Sequence, residues 1–175
     1  GRLGFKTLLR AIAELYKNKR AEVDDQSTKI LDALKARPTS AGSGGTLEEA
    51  TINQGMNRIM RSMDTRFGGF GTAPKFPMSG AIEFLLGRYF FSRDETVAAV
   101  LQKTLASMAT GGFHDQLAGG FHRYSTDQAW IIPHFEKMAD DNAWLLRNYV
   151  DAYSLFSDPY FKEIAKGIVS FTRCE

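Results

Sequence analysis

Apolar residues recur along most of this chain at the three- and four-residue spacing of amphipathic helices. Phe5, Leu8, Leu9, Ile12, Leu15 and Tyr16 mark one stripe and predict a helix over 3–18. Val23, Ile30, Leu31 and Leu34 repeat the pattern more weakly over 20–36, which Pro38 ends. Residues 37–45, rich in Gly, Ser and Ala, read as a flexible linker and the best domain boundary in the sequence. Thr46 with Glu49 has the spacing of a capping box and opens a helix to about Met63, with Ile52, Met56, Ile59 and Met60 on one core-facing stripe. Ser79 is placed to cap a helix through Ile82, Leu85, Leu86, Tyr89 and Phe90. Asp94 and Glu95 put negative charge at the start of the next, which carries Val97, Val100, Leu101, Leu105 and Met108 and stops at Gly111-Gly112. Pro133 is expected to start the strongest helix, through Phe135, Met138, Asn142, Leu145, Tyr149, Ala152 and Phe156. A last helix from about Pro159 holds Phe161, Ile164, Ile168 and Phe171. The expected fold is all-α and built of helical hairpins.

Two segments escape this periodicity. The loop 66–77 contains three glycines and two prolines yet also Phe67, Phe70 and Phe76, so it is expected to fold inward as an ordered lining. The stretch 111–142 gathers all three histidines, four aspartates, Glu136, Arg123, Lys137, Tyr124 and Trp130 between glycine pairs. Within it, Gly120 to Trp130 alternates loosely and suggests a short hairpin. Gly-Gly-Phe recurs at 68–70, 111–113 and 119–121, the first two after predicted helices, which suggests repeated helical pairs with the elaborate loops at one end.

Composition narrows the class. A 175-residue chain with 43% hydrophobic and 24% charged residues has enough apolar surface for a real core. The net charge is +2, and the one basic run, Lys17-Asn18-Lys19-Arg20, lacks an aromatic platform and reads as a solvated helix junction, so no nucleic-acid partner is expected. Cys174 is the single cysteine, which excludes an internal disulfide or a Cys-x-x-Cys motif and makes a reducing, cytoplasmic setting the default. No apolar run is long enough for a membrane span. The ends at Gly1 and Glu175 read as cut points in a longer protein.

Polar residues at this density usually line a concavity. On a regular helix from Pro133, His134, Lys137 and Asp141 would share one face, Glu136 and Asp140 would stack on another, and His134 and Glu136 would point apart. A solvated helix surface is one reading. A metal site is another, but the spacings His114-x7-His122 and His122-x11-His134 match no compact ligand motif, and no metal or cofactor is expected. Acid–base chemistry is the third: Asp115 with Asp127, Glu136 or Asp141 could act on a glycosidic bond, or His122 and His134 could move a proton beside a carbonyl. Asn142 falls on an otherwise apolar face and needs specific partners, while Trp130 and Tyr124 could stack against a sugar.

Gly69-Phe70-Gly71 with Ala73-Pro74-Lys75-Phe76-Pro77, then Gly112-Phe113-His114-Asp115, Gly119 to Ser125, Trp130 with Pro133 to Met138, and Asp141-Asn142-Ala143 resemble the motifs of a widespread family that includes the spermatogenesis-associated thioredoxin-like proteins of animals. Its members join a thioredoxin-like domain to a six-hairpin (α/α) toroid similar to N-acylglucosamine 2-epimerases and six-hairpin glycosidases. The resemblance implies that residues 1–36 are the helical tail of the thioredoxin-like domain. It also implies that 46–175 form the N-terminal part of the toroid, about half of its hairpins. The cysteine motif of the thioredoxin-like domain is absent, so no redox activity carries over. Ala139-Asp140 stands where a bulkier pair is expected, and the linker at 37–45 is lengthened. An open arc would leave apolar helix faces uncovered, so self-association is expected.

Two functions are therefore expected as alternatives. One is a carbohydrate-like small-molecule site with epimerase- or glycosidase-like acid–base chemistry. Its catalytic candidates are His122, His134, Asp115, Glu136 and Asp141, with His114, Arg123, Tyr124, Asp127, Trp130, Lys137, Asn142 and Lys75 binding the ligand. The other is a non-catalytic scaffold that presents a client to an attached thioredoxin-like domain.

Overall fold

A computed structural model describes residues 4–36 and 48–174, and its contacts divide the chain into two units, Gly1–Leu47 and Glu48–Glu175. The predicted linker at 37–45 and the Thr46 half of the capping box lie outside the described residues. Seven helices and no strand occur among those described.

The first unit holds α1 (Phe5–Asn18) and α2 (Arg20–Lys35), which pack on each other. Neither has a buried residue, and the α1 stripe of Phe5, Leu8, Leu9, Ile12, Leu15 and Tyr16 is exposed along its whole length.

The second unit contains α3 (Glu49–Arg61), α4 (Ser79–Ser92), α5 (Glu95–Thr110), α6 (Ala139–Phe156) and α7 (Pro159–Cys174). Asp94 caps α5 by accepting from the Thr96 N–H, whereas α3 opens at Glu49 without a side-chain cap. Ser79 is the first helical residue of α4 rather than its cap, which is Met78 in a left-handed conformation. α6 packs against α7 and α4, α4 against α5, and α5 against α7. Ile82, Leu85, Leu101, Leu105, Leu145, Tyr149, Phe161 and Ile168 form the centre of the core. The methionine stripe, Met56 and Met60 of α3 and Met63 just beyond its end, lies against this core, as the periodicity predicts. Tyr149 is buried through its hydroxyl, which donates to the Leu105 carbonyl across α5 and α6 at 2.8 Å.

α3 and α5 each run into an irregular segment from which α4 and α6 start, so both elaborate loops, 62–78 and 111–138, lie at one end of the hairpins. They are joined there by reciprocal backbone hydrogen bonds between Lys75 and Ser125.

The two loops share one construction. In Asp64-Thr65-Arg66-Phe67-Gly68-Gly69-Phe70 the Asp64 carboxylate accepts from the Arg66 and Phe67 N–H groups, its backbone pairs with Gly68 and Gly69, and Lys75 Nζ donates to Oδ2 at 2.6 Å. In Asp115-Gln116-Leu117-Ala118-Gly119-Gly120-Phe121 the Asp115 carboxylate accepts from Leu117 and Ala118, its backbone pairs with Gly119 and Gly120, and Lys137 Nζ donates at 2.6 Å. The equivalent Gly-Gly-Phe triplets are therefore the first and third, not the first and second. The reason is the aspartate four residues before the glycine pair, which 111–113 lacks. Eleven residues separate Asp64 from Lys75 and twenty-two separate Asp115 from Lys137, so the second loop carries eleven additional positions.

The extra length corrects the predicted α6. Residues 133–138 are extended rather than helical, because their backbone is already paired: His134 N–H donates to Tyr124 O at 2.9 Å and Arg123 N–H to Glu136 O at 2.7 Å. The helix begins only at Ala139. The 123–125 and 133–136 segments thus run antiparallel, joined by an isolated Ser125–Pro133 bridge; the expected hairpin within 120–130 is instead a pairing to residues further along the chain.

Candidate functional site

Hydrogen bonding divides the polar residues of these loops into two groups. The first group holds the architecture. Lys75, fully buried, donates to Asp64 and to the Gln128 carbonyl at 2.9 Å, and Gln128 Nε2 donates back to Asp64. Burial pushes the Asp64 carboxyl up, but hydrogen bonds from Lys75, Phe67, Gln128 and Arg66 outweigh it and hold the group at about 2. Lys137 donates to Asp115 and to the Gly119 carbonyl; with the two backbone donors it holds Asp115 well below the usual carboxylate range. Asp127 receives the N–H groups of Ala129, Ile131 and Ile132. That turn sets Trp130 at φ +66 and sends its indole inward, where Nε1 donates to the Phe67 carbonyl at 3.1 Å. Asn142 bridges both backbone groups of Phe121, accepting at 2.7 Å and donating at 2.9 Å.

Trp130 and Lys75 are fully buried, as Asn142 nearly is, so the structure gives them no surface to offer a ligand. Asp115, Asp127 and Lys137 have their polar atoms committed to the loops. His114 is also buried, its ring tilted against Phe121 with centroids 4.8 Å apart, and burial pushes its imidazole pKa down.

The second group is Arg123, His134, Glu136 and Asp141. The paired segments and the first turn of α6 bring them together, and among the described residues none of their side chains makes a hydrogen bond. Arg123 Nη1 is 3.9 Å from Glu136 Oε2, Arg123 Nε is 4.0 Å from Asp141 Oδ2, and His134 Nδ1 is 3.6 Å from Glu136 Oε2. Each separation is beyond a good hydrogen bond. His134 and Glu136 therefore converge, where a helix would have pointed them apart, and Lys137 turns away to Asp115 instead of sharing a face with His134. His134 Nδ1 and Asp141 Oδ2 are shielded from solvent and lack partners. Burial raises the Asp141 carboxyl, and the charges of Asp140 and Glu136 add to this against the opposing pull of Arg123.

An aromatic column backs the cluster. Tyr124 stacks on His134 with centroids 4.7 Å apart and on Phe76 at 4.8 Å on its other face. Phe76 comes from the first loop and was missed as a site residue; only the Lys75–Ser125 pairing brings it across. His122 lies behind, edge-on to Phe135 at 5.4 Å, with Nδ1 unpartnered. Burial lowers its pKa, so neutral imidazole is favoured. Among the described residues no three His, Cys, Asp or Glu side chains converge as a metal site.

Comparison with known proteins places this arrangement among relatives. No family model matches the chain. It is 36% identical to human spermatogenesis-associated protein 20 over 180 residues, which cover 97% of this chain. The rat protein of the same name is 36% identical over 177 residues, and an uncharacterized protein of Caenorhabditis elegans is 39% identical over 160 residues. The chain is homologous to a segment of spermatogenesis-associated protein 20. It spans 22% of the length of each of these relatives. The match to spermatogenesis-associated protein 20 extends across both helical units, so the doubled aspartate–lysine loops and the Arg123 cluster fall inside the shared segment.

Proposed function

We propose that the loop end of the second unit binds a polyhydroxylated, carbohydrate-like small molecule, and that His134, Glu136 and Asp141 perform epimerase- or glycosidase-like proton transfers on it. One observation carries this reading: Arg123, His134, Glu136 and Asp141 meet within about 4 Å with their hydrogen-bonding capacity unused, beside loops whose lysines and other carboxylates are engaged. Side chains in that state offer donors and acceptors to a hydroxylated ligand, and the His134 ring, backed by Tyr124 and Phe76, offers a flat face to its ring. Glu136 and Asp141 suit proton exchange with ligand hydroxyls, and Arg123 suits orientation of the ligand. The architectural ties of Asp115 leave it outside the chemistry in this reading.

The stacked α4–α5 and α6–α7 hairpins, with both loops at one end, support reading residues 46–175 as an arc of an (α/α) toroid. Titration calorimetry with unphosphorylated monosaccharides tests the functional reading. Binding is expected to the 175-residue chain and to be lost in His134→Ala; absence of binding across the panel refutes it.

The second reading, a client-binding scaffold, is favoured by the apolar side chains at the same end. Leu117 is 99% exposed and Phe135 82%, with Ile131 and Ile132 exposed beside them. Retention of an unfolded client by the chain, lost on Leu117→Ser with Phe135→Ser, is the outcome expected from a scaffold.

A further inference from the structure

We infer that the ligand of the Arg123 cluster is an amine-bearing polyol rather than a phosphorylated or carboxylated one, an inference that rests on the small-molecule reading above. The lysines of the two loops are already accounted for. Lys75 is sealed against Asp64, and Lys137 is held by Asp115 and the Gly119 carbonyl. Among the described residues Arg123 is the one lysine or arginine within 4 Å of the cluster's carboxylates, at 3.9 Å from Glu136 and 4.0 Å from Asp141. The cluster therefore carries one more carboxylate than cation.

The other natural anion subsite at this end is the start of α6, whose first N–H groups and dipole favour negative charge. That position is taken by the protein's own Asp140 and Asp141 in the first helical turn. A phosphate approaching here would meet three carboxylates and a single guanidinium, with no vacant lysine to receive it.

An ammonium group meets the opposite situation. Placed between Glu136 and Asp141 it would balance the surplus charge and give hydrogen-bond donors to two carboxylates that accept none from a side chain. The His134 imidazole, 44% exposed and without a hydrogen bond, is independent of that charge argument. It offers the hydroxyl-directed bond that singles out a polyol from a simple amine. The His134 ring, stacked on Tyr124, adds the flat face.

Calorimetric titration of the 175-residue chain with glucosamine, glucose and glucose 6-phosphate at low ionic strength tests this. Glucosamine is expected to bind about 3- to 10-fold tighter than glucose, the range of a partly exposed ion pair, with the advantage shrinking as salt is added. Glu136→Gln and Asp141→Asn should each reduce the advantage, and Arg123→Gln, which deepens the negative surplus, should enlarge it. Glucose 6-phosphate should give no binding heat. Equal or weaker binding of glucosamine, or tightest binding of the phosphate, overturns the inference while leaving the polyol reading intact. Silence from all three sugars overturns both.

Discussion

Lys75 Nζ sits 2.6 Å from Asp64 Oδ2 with 0% and 6% of the two side chains exposed, whereas the equivalent pair, Lys137 and Asp115, has the same separation but keeps 15% and 25% exposed. The difference comes from the longer second loop, which folds Ser125, Gln128 and Trp130 over the first pair.

Removing one partner of a buried pair strands the other charge, so Lys75→Met or Asp64→Leu should each destabilise the second unit by about 3–5 kcal/mol. Lys137→Met, at the more open pair, should cost clearly less. Urea unfolding monitored by circular dichroism gives the comparison; equal losses would mean the two pairs are energetically alike.

Acid should weaken the protein in two stages. Burial depresses the His114 imidazole, so the unfolded chain binds the extra proton first, and stability present near pH 7 falls as the pH drops below about 6.5. Asp64, held at about 2, contributes stability that is fully present above the unfolded value of about 3.9 and is lost as pH falls through about 4 towards 2. Thermal midpoints measured from pH 8 to 2 should show both declines, and His114→Phe should shrink only the upper one, to which the buried His122 contributes the remainder.

Gly69 and Gly120 occupy equivalent left-handed positions, φ +77 and +74. A Cβ on the first would lie 2.5 Å from the Trp130 ring and on the second 2.6 Å from the Phe171 ring. Alanine at either should cost about 1–3 kcal/mol or more. Gly87, on α4 with nothing near its Cβ position, is the control: Gly87→Ala should stabilise by up to about 1 kcal/mol through helix propensity.

The exposed α1 stripe should drive self-association. Sedimentation velocity at micromolar concentration is expected to show species larger than a monomer, reduced by Phe5→Glu with Ile12→Glu. A single monomeric boundary for the unaltered chain would contradict this.

The helices were legible because each inner face repeats at the helical period: Ile82, Leu85 and Leu86, or Phe161, Ile164 and Ile168, have one way of being buried together. The site was only half legible. The stretch 111–142 was identifiable by its polar density, and Arg123, His134, Glu136 and Asp141 were among its candidates. Sorting them from Asp115, Asp127 and Lys137 was not achievable, because all are the same kinds of residue in the same loop. The Asp-x3-Gly-Gly-Phe spacing at Asp64 and Asp115 was the available signal for two of the architectural aspartates.

What the sequence by itself determined is the helical hairpins and the two irregular loops between them, since periodicity, glycine pairs and prolines act over a few residues. What only the tertiary structure decided is which polar groups remain free. Residues 133–138 satisfy their backbone against 123–125 and so stay extended despite helix-like spacing, and Lys75 finds its partners eleven and fifty-three residues away. A buried donor or acceptor is held by whichever partner the fold brings within about 3 Å, and that proximity is set by chain crossings at long sequence separation rather than by local pattern.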